Sequence, residues 1–383
     1  MCRDEVRLQY SGYILFLSKL FSILTGLAFS LMVTRTISAE DFGVYGNLGD
    51  LLAYFTLAAG IVPFWATRFV ARKHAGSSIT GLTANLLLSL PFILIYLISL
   101  PTLLSVFQIA DGYLIVYTIL IFEILEIYVN SAFEAALQAK RPHAIGFGFL
   151  IFEISKVIIG FVLIIQLKLG LFGALVSVII AYVFQLLFYL KLTIPDFHEK
   201  VRWNYIKEWI KASPLNLYGT IGQRFAALYS ILLFIYGGKL ARAYYESALI
   251  IAASIGHSSS LAYALYPRLL SKNRPEDIHT SLKMVLTFAM PMTTGAIVLS
   301  ESYLTIFDPV YRIAKPVLVL ASLFTLSASL STIFNTVVAG TEKFDSQAEI
   351  SYKNIFRSKL FVIFSLPYLQ AMVITPAIFF VLN

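Results

Sequence analysis

The sequence has few charged residues: they make up 13% of its 383 positions, whereas hydrophobic residues make up 58%. A typical soluble chain has about 25% charged and about 45–50% apolar residues. With a mean hydropathy of +0.81, a water-soluble globule would have too few charges to cover its surface. This scarcity excludes a soluble protein and predicts a chain that crosses a membrane several times.

Cysteine is nearly absent, since Cys2 is the single one. One thiol excludes a disulfide framework and a thiolate metal cluster. The sequence also lacks GxxxxGK[ST], HExxH and the nucleophile elbow, so nothing in it favours ATP hydrolysis. We therefore expect a protein that is not an enzyme, with no cofactor, no metal site, no catalytic residues and no nucleic-acid partner.

Apolar runs of about 20 residues, the length that a bilayer-spanning helix needs, recur along the whole chain. The polar gap 192–212 is the longest, and its tryptophans and lysines are typical of an amphipathic segment at the membrane interface. The first run is longer than the about 7–15 residues of a signal core, so we expect a spanning helix there. We predict eleven spanning helices: 12–34, 44–65, 79–106, 112–136, 144–166, 169–191, 213–236, 243–266, 281–304, 315–339 and 357–382.

The distribution of basic residues predicts the orientation of these helices. With the N-terminus in the cytoplasm, 20 of the 29 lysines and arginines lie in inner segments and 6 in outer ones. Cytoplasmic loops are enriched in Lys and Arg. We therefore expect a multi-pass protein of the cell membrane, in contact with membrane lipids and with a cytoplasmic N-terminus.

Several features recur at an offset of 200 or 201 residues, which indicates a duplicated module. The matches are Tyr45 with Tyr245, Trp65 with Tyr266, Leu90-Pro91 with Met290-Pro291, and Phe133 with Phe334. The expected fold is all-α, with about eleven helices in two pseudo-symmetric lobes (six and five) arranged as a parallel repeat around a central cavity. The first lobe covers residues 1–195, an amphipathic cytoplasmic linker 196–212, and the second lobe 213–383, without a twelfth helix. A parallel repeat suits alternating access.

The segment after the first helix, Arg35-Thr-Ile-Ser-Ala-Glu-Asp-Phe42-Gly43-Val-Tyr45, resembles the opening signature of polysaccharide-biosynthesis or oligosaccharide flippases. These belong to the multidrug/oligosaccharidyl-lipid/polysaccharide exporter superfamily. The second half is similar too, at Pro214, Gly237-Gly238, Tyr244-Tyr245, Pro267, Pro291, and at Glu301 ahead of Tyr311. The resemblance implies flipping or export of a lipid-linked oligosaccharide that often carries pyrophosphate.

Two departures from the family limit this resemblance. Members usually have twelve or fourteen helices, whereas eleven are predicted here. Members also often carry an Asp in the middle of helix 7, where this chain has Arg224-Phe-Ala-Ala227. A site built on that Asp is therefore not expected.

The predicted helix 4 carries Glu123, Glu126, Asn130 and Glu134 at helical spacing, so they form one polar stripe. Ionisable residues at membrane depth are costly and usually face a wet cavity. Such acids could exchange a proton or hold Na⁺, which predicts an ion-coupling site in the first lobe. A water-lining stripe without coupling is the alternative. We expect the stripe to line a solvated cavity between the lobes.

Other charges at membrane depth have two interpretations each. Glu153 and Lys156 are three residues apart and can neutralise one another, or can act beside the acids of helix 4. Asp50 can pair with Lys19 or line the cavity. We expect these three residues, Glu153, Lys156 and Asp50, to line the cavity or to form structural pairs.

Two cations at membrane depth are the candidates for substrate recognition. Arg224 and Lys19 lie in helices 7 and 1, which are repeat partners, and Asn216 and Gln223 accompany Arg224. A guanidinium binds phosphate oxygens through two hydrogen bonds, and an ammonium adds a point charge. The alternative is that each cation neutralises a nearby carboxylate.

Three functions compete on this basis. The flippase of lipid-linked oligosaccharides is favoured by the Arg35–Tyr45 signature and by Arg224. A cation-coupled multidrug exporter of the same superfamily is favoured by the acidic stripe. A membrane-embedded polysaccharide polymerase or glycosyltransferase is disfavoured, because the predicted outer loops are too short for a catalytic segment.

Overall fold

The computed structural model describes residues 8–262, 275–341, 361–362 and 365–372. Over these residues the chain is helical and contains no strand, so the all-α prediction is confirmed. The α-helices in residues 8–341 of the described chain are α1 (Leu8–Thr34), α2 (Ala39–Phe55), α3 (Ile61–Ala71), α4 (Ser77–Val106), α5 (Leu114–Lys140), α6 (Pro142–Gly160), α7 (Gly170–Thr193), α8 (Trp203–Ala212), α9 (Pro214–Ala226), α10 (Leu228–Gly256), α11 (Pro275–Val298), α12 (Ser300–Phe307) and α13 (Lys315–Thr341).

Eight helical spans in the described chain are long and apolar enough to cross a membrane. One of them, Leu217–Ser259, covers most of two of the predicted helices, 213–236 and 243–266. The predicted helix 44–65 is divided between α2 and α3 and is not one of the eight. Most of the predicted helix 357–382 lies outside the described residues, and its described residues, 361–362 and 365–372, are helical. The eight spans are thus roughly consistent with the predicted eleven.

The chain reverses inside α10, at Gly238. Its φ of +77° is a left-handed value that glycine adopts without steric cost. The hydroxyls of Tyr229 and Tyr245 lie 2.8 Å apart, whereas 16 residues of straight helix would separate them by about 24 Å. The residues 228–237 and 239–256 therefore form two antiparallel halves of a helical hairpin.

The predicted second helix begins earlier than expected and is interrupted. Ser38 caps α2, because its hydroxyl accepts a hydrogen bond from the amide of Asp41 at 3.1 Å. The interruption between α2 and α3 leaves carbonyl groups without helical partners. The amide of Asn85 donates to the carbonyl of Ala59 (3.1 Å), and the hydroxyl of Tyr128 donates to that of Phe55 (3.2 Å). Buried carbonyls are thereby satisfied by neighbouring helices.

The described helices pack in two groups. In the first lobe, α6 packs against α1 and α7, and α5 packs against α3, α4 and α7. In the second lobe, α13 packs against α10 and α11. The lobe boundaries at 195 and 213 and the internal symmetry stay predictions.

The amphipathic segment predicted in 192–212 forms the helix α8. Trp209 is 1% exposed and lies in one apolar cluster with Val62 and Ala66 of α3. Trp203 and Ile210, on the other side of α8, are 59% and 64% exposed. This helix is therefore anchored to the first lobe through one face and presents the other outward.

Candidate functional site

The most extensive contact between the lobes joins α2 to α10. Gly43 lies against the backbone carbonyl of Lys239, so closely that a Cβ atom would collide with it. Phe42 packs edge-on against Tyr311 with ring centroids 5.7 Å apart. Residues of the Arg35–Tyr45 segment, on which the family resemblance rests, therefore form part of the lobe interface.

Two further contacts join the lobes at the same end. The guanidinium of Arg35 donates two hydrogen bonds to the carbonyl of Ile306, at 2.7 and 3.1 Å. The ammonium of Lys239 lies 4.9 Å from the ring centre of Tyr113, whose hydroxyl donates to Asp41 at 2.6 Å. Burial and the neighbouring carboxylate raise the pKa of Tyr113 to about 12, so this phenol stays protonated at physiological pH. We call this region, where α2 begins and α10 reverses, the closed end.

A buried ion cluster lies beneath the closed end. Arg242, 3% exposed, donates from Nε to Asp50 at 2.9 Å and from Nη1 to Glu246 at 2.6 Å. Its Nη2 donates to the carbonyl of Gly46 at 3.0 Å. Asp50 and Gly46 belong to α2, and Glu246 belongs to the same helix as Arg242. One guanidinium therefore binds acceptors from both lobes.

This cluster borders a cavity of about 390 Å³ between the lobes. Glu123 of α5 also lines it and is 5% exposed, with no hydrogen bond or ion pair to any described residue. The ionisable residues on the cavity wall are Tyr45, Asp50, Glu123, Tyr182, Arg242 and Glu246. The wall carries more carboxylates than cations, which suits a site for a proton or a small cation more than one for an anion.

The acidic stripe of α5 faces the protein interior, and only part of it reaches this cavity. Glu126 is 7% exposed, and its Oε2 has no hydrogen-bond partner in the described chain. Glu134 accepts from Asn130 at 3.1 Å and from Tyr189 of α7 at 3.4 Å. Glu123 lies on the wall of this cavity, whereas Glu126, Asn130 and Glu134 are not among its lining residues, so a solvated position between the lobes stays a prediction for these three.

The structure shows the partners of the other charges that lie at membrane depth. Lys156 lies 3.0 Å from Glu153, and Glu153 also accepts from Thr25 of α1 at 2.6 Å. This pair therefore ties α6 to α1. Asp50 pairs with Arg242 and not with Lys19, and it also lines the cavity.

The predicted substrate cations lie apart from the ion cluster. Arg224 is half-buried, and its Nε has no hydrogen-bond partner among the described residues. Its carbonyl, at the end of α9, accepts from the hydroxyl of Tyr54 at 2.8 Å. Lys19 is half-buried, and neither cation forms an ion pair with a described residue. Gln223 is exposed, and the side chain of Asn216 lies outside the described part of the structure.

Arg242 is the site residue that sequence reasoning missed. It lies four residues after the Gly237-Gly238 pair, and this pair favoured an outer loop that extends to Arg242. The signal that could have revealed it is Glu246, because Arg and Glu four residues apart share one face of a helix. The partner in the other lobe, Asp50, has no such local signal.

The fold is that of solved transporters. A multidrug resistance transporter of the MATE family, MOP superfamily, in its inward-facing conformation superposes with a TM-score of 0.60 at 14% identity, over 84% of this chain and 81% of that chain. A Vibrio cholerae MATE transporter in a bent form gives 0.58 at 13% identity, over 86% and 83%. A MOP superfamily transporter from Pyrococcus furiosus, described by a reversed polarity of its binding pocket, gives 0.54 at 14% identity, over 95% and 92%.

Sequence comparisons add no narrower assignment. No family model matches the chain, and no curated protein matches it. At these levels of identity, structural likeness establishes the fold and leaves the substrate open. The chain is therefore an all-helical, multi-pass membrane protein with a MATE-like transporter fold.

Proposed function

We propose that the protein is an alternating-access transporter that flips or exports a lipid-linked oligosaccharide across the membrane. The shared fold and the cavity between two packed lobes support the transporter class. The observation that carries the substrate class is the pair of half-buried cations, Arg224 and Lys19, which form no ion pair with a described residue. A permanent cation at membrane depth calls for an anion, and the substrate supplies it.

The chemistry of a lipid phosphate or pyrophosphate matches these side chains. Its oxygens carry charge at any physiological pH, and a guanidinium can bind two of them at once. No described residue accepts a hydrogen bond from the buried Nε–H of Arg224, and such an oxygen could accept it. Lys19 adds a second charge, and Gln223 and Asn216 are assigned to polar contacts with the same headgroup.

Coupling to a cation gradient is the second part of the proposal. Glu123 and Glu126 are buried without an ion-pair partner among the described residues, so a proton or Na⁺ would stabilise them. Asn130 and Glu134 continue the same face of α5 and are assigned to the same task. The hydroxyl of Tyr189 on α7 lies 3.4 Å from Glu134 and 3.2 Å from the carbonyl of Ile145, so protonation of Glu134 would change its contact with α7.

A cation-coupled multidrug exporter is the second candidate function. The unpaired carboxylates Glu123 and Glu126 favour it, because a cationic drug could neutralise them. It gives Arg224 no substrate role. Replacing Arg224 should therefore abolish transport if the protein is a flippase and leave transport intact if it is a multidrug exporter.

The test is complementation of a flippase-deficient strain with Arg224→Ala and Arg224→Lys, with the abundance of the protein in the membrane measured in parallel. We expect both variants to lose activity, because a lysine cannot bind two phosphate oxygens through a planar fork. Arg312→Ala is the matched control, since Arg312 is a second-lobe arginine with a 67% exposed side chain. It should complement normally.

Full activity of Arg224→Ala would contradict phosphate recognition by this residue. Rescue of Arg224→Ala by neutralising Glu123 or Glu126 would make it a counter-ion instead. Purified protein in liposomes separates the two functions directly. A flippase moves a lipid-pyrophosphate oligosaccharide, whereas the exporter moves cationic dyes and leaves that lipid in place.

A further inference from the structure

Arg242 has the one side chain in the described ion cluster that bonds to both lobes. Two of its donors face α2, at Asp50 and at the carbonyl of Gly46, and a third faces Glu246 on its own helix. The guanidinium is 3% exposed, while the side chains of Asp50 and Glu246 are 16% and 20% exposed. The arginine is thus enclosed, and both carboxylates retain contact with the cavity.

We propose that Asp50, Arg242 and Glu246 form a reversible ionic lock that holds the lobes together at the closed end. Asp50 is the arm of the lock on the first lobe. Glu246 is the resting partner that keeps the guanidinium when the lobes separate. The lock deepens the alternating-access function proposed above, since it assigns the contact that must break when this end opens.

The reversibility follows from where the two carboxylates lie. Removing one partner from a buried ion pair is strongly destabilising when the remaining charge has no other partner. Here separation of the lobes removes Asp50 and the Gly46 carbonyl, but Glu246, four residues along the same helix, stays within reach of Arg242. Asp50 already borders the cavity, so water can hydrate it as the lobes part. In the open state Arg242 therefore keeps an ion-pair partner, and Asp50 is hydrated.

Glycine at position 46 gives the lock its geometry. A Cβ atom there would lie 2.9 Å from the guanidinium carbon of Arg242, closer than van der Waals contact permits. Without a side chain, the backbone of α2 can approach the guanidinium and offer its carbonyl as the third acceptor. The lock therefore combines one ionic arm with one backbone arm on the first lobe.

Removing the charge of either carboxylate should shift the equilibrium between the closed and open states, but in opposite directions, although both carboxylates bind the same guanidinium. Asp50→Asn removes the ionic arm between the lobes and should favour the open state. Glu246→Gln removes the competitor for Arg242 and the repulsion between two neighbouring carboxylates, so Arg242 should bind Asp50 alone and favour the closed state. Loss or gain of one charge-assisted hydrogen bond between the lobes should change the ratio of closed to open molecules by about tenfold in each variant.

The experiment measures the distance between the lobes by double electron–electron resonance in nanodiscs, with the native Cys2 replaced by Ser. Spin labels at Leu167 and Ile313, which are 58% and 67% exposed, report the closed end from opposite lobes. A pair within the first lobe, Val106 and Leu167, is the control and should not change. Arg242→Lys, which keeps the charge but loses the planar fork, gives a second route if Asp50→Asn does not fold. It should shift the distances in the open direction.

Asp50→Asn with longer distances and Glu246→Gln with shorter ones supports the lock. Distances that stay unchanged in Asp50→Asn and in Arg242→Lys overturn it. A shift of Glu246→Gln in the open direction, or no shift, overturns the role of Glu246 as resting partner. The readout does not involve a substrate, so the lock can hold even where the proposed oligosaccharide flipping fails.

Discussion

Gly43 lies where α2 meets a backbone atom of the other lobe. A Cβ atom at this position would collide with the carbonyl oxygen of Lys239, and a carbonyl in a helix cannot move aside as the end of a side chain can. Small residues allow helices in membranes to approach closely. At the scale of single residues, the contact between the lobes thus requires a glycine at position 43 as well as the side chains that bond across it.

Gly43→Ala should therefore open or destabilise the lobe contact. We expect lower thermal stability in detergent and longer distances between the lobes at the closed end. The matched control is Gly49→Ala in the same helix, where, apart from the adjacent residues and the nearby backbone of α2, no atom of the described residues lies within 4 Å of the added Cβ. That variant should be neutral or more stable by up to about 1 kcal/mol, because Ala favours helix more than Gly does. Equal melting temperatures for the two variants would contradict the importance of this contact.

Residue patterns predicted local partners better than distant ones. The spacing of Glu153 and Lys156 gave a pair that the structure places 3.0 Å apart. The partner of Asp50 was not predictable, because Arg242 lies 192 positions away and only the packing of the lobes brings them together. The spacing on α5 likewise placed Glu123 and Glu134 on one stripe, but it could not show that Glu123 borders the cavity while Glu134 contacts Tyr189 of α7.

At the scale of helices, hydropathy predicted where the chain is apolar but not where helices break. The predicted helix 44–65 is α2 and α3, with an interruption at residues 56–60. Its free carbonyls are satisfied by Asn85 and Tyr128 from other helices. A window along the sequence cannot detect those donors. The predicted amphipathic segment was found because Trp203 and Trp209 among lysines form a local signal.

Because α8 is anchored through one face, its two tryptophans should contribute differently to stability. Trp209 is 1% exposed and meets Phe69 edge-on at 5.5 Å, so Trp209→Ala should destabilise the protein. Truncating a buried aromatic side chain costs about 3–5 kcal/mol. Trp203→Ala, at a position 59% exposed, is the control and should leave the melting temperature nearly unchanged in detergent. A larger loss for Trp203 than for Trp209 would show that α8 does not dock through Trp209.

At the scale of the whole molecule, several contacts between the lobes together hold the closed end. Arg35 with Ile306 and Phe42 with Tyr311 connect the lobes around the start of α2, and Asp50 with Arg242 connects them beneath it. Under the predicted orientation this end faces away from the cytoplasm. If the closed end lies on the outer side of the membrane, any opening of the cavity in this conformation is toward the cytoplasm. If the closed end lies at the cytoplasm, the opening is toward the outside.

Cysteine labelling tests the orientation, since the bias of 20 inner to 6 outer basic residues predicts a cytoplasmic N-terminus. In a chain with Cys2→Ser, we expect Gln108→Cys to react with a membrane-impermeant maleimide on intact cells. Ala75→Cys should react only after permeabilisation. Both positions are exposed, and α4 alone separates them. Its 30 residues extend about 45 Å, enough to cross a bilayer.

This geometry gives the labelling experiment an internal control. Because one continuous helix joins the two positions, they must lie on opposite sides of the membrane, and exactly one should be labelled on intact cells. Labelling of Ala75→Cys instead of Gln108→Cys would reverse the predicted orientation and place the closed end at the cytoplasm. Labelling of both in intact cells would contradict α4 as a spanning helix. The predicted pattern places the ionic lock on the outer side, where it must break to release a substrate flipped from the cytoplasm.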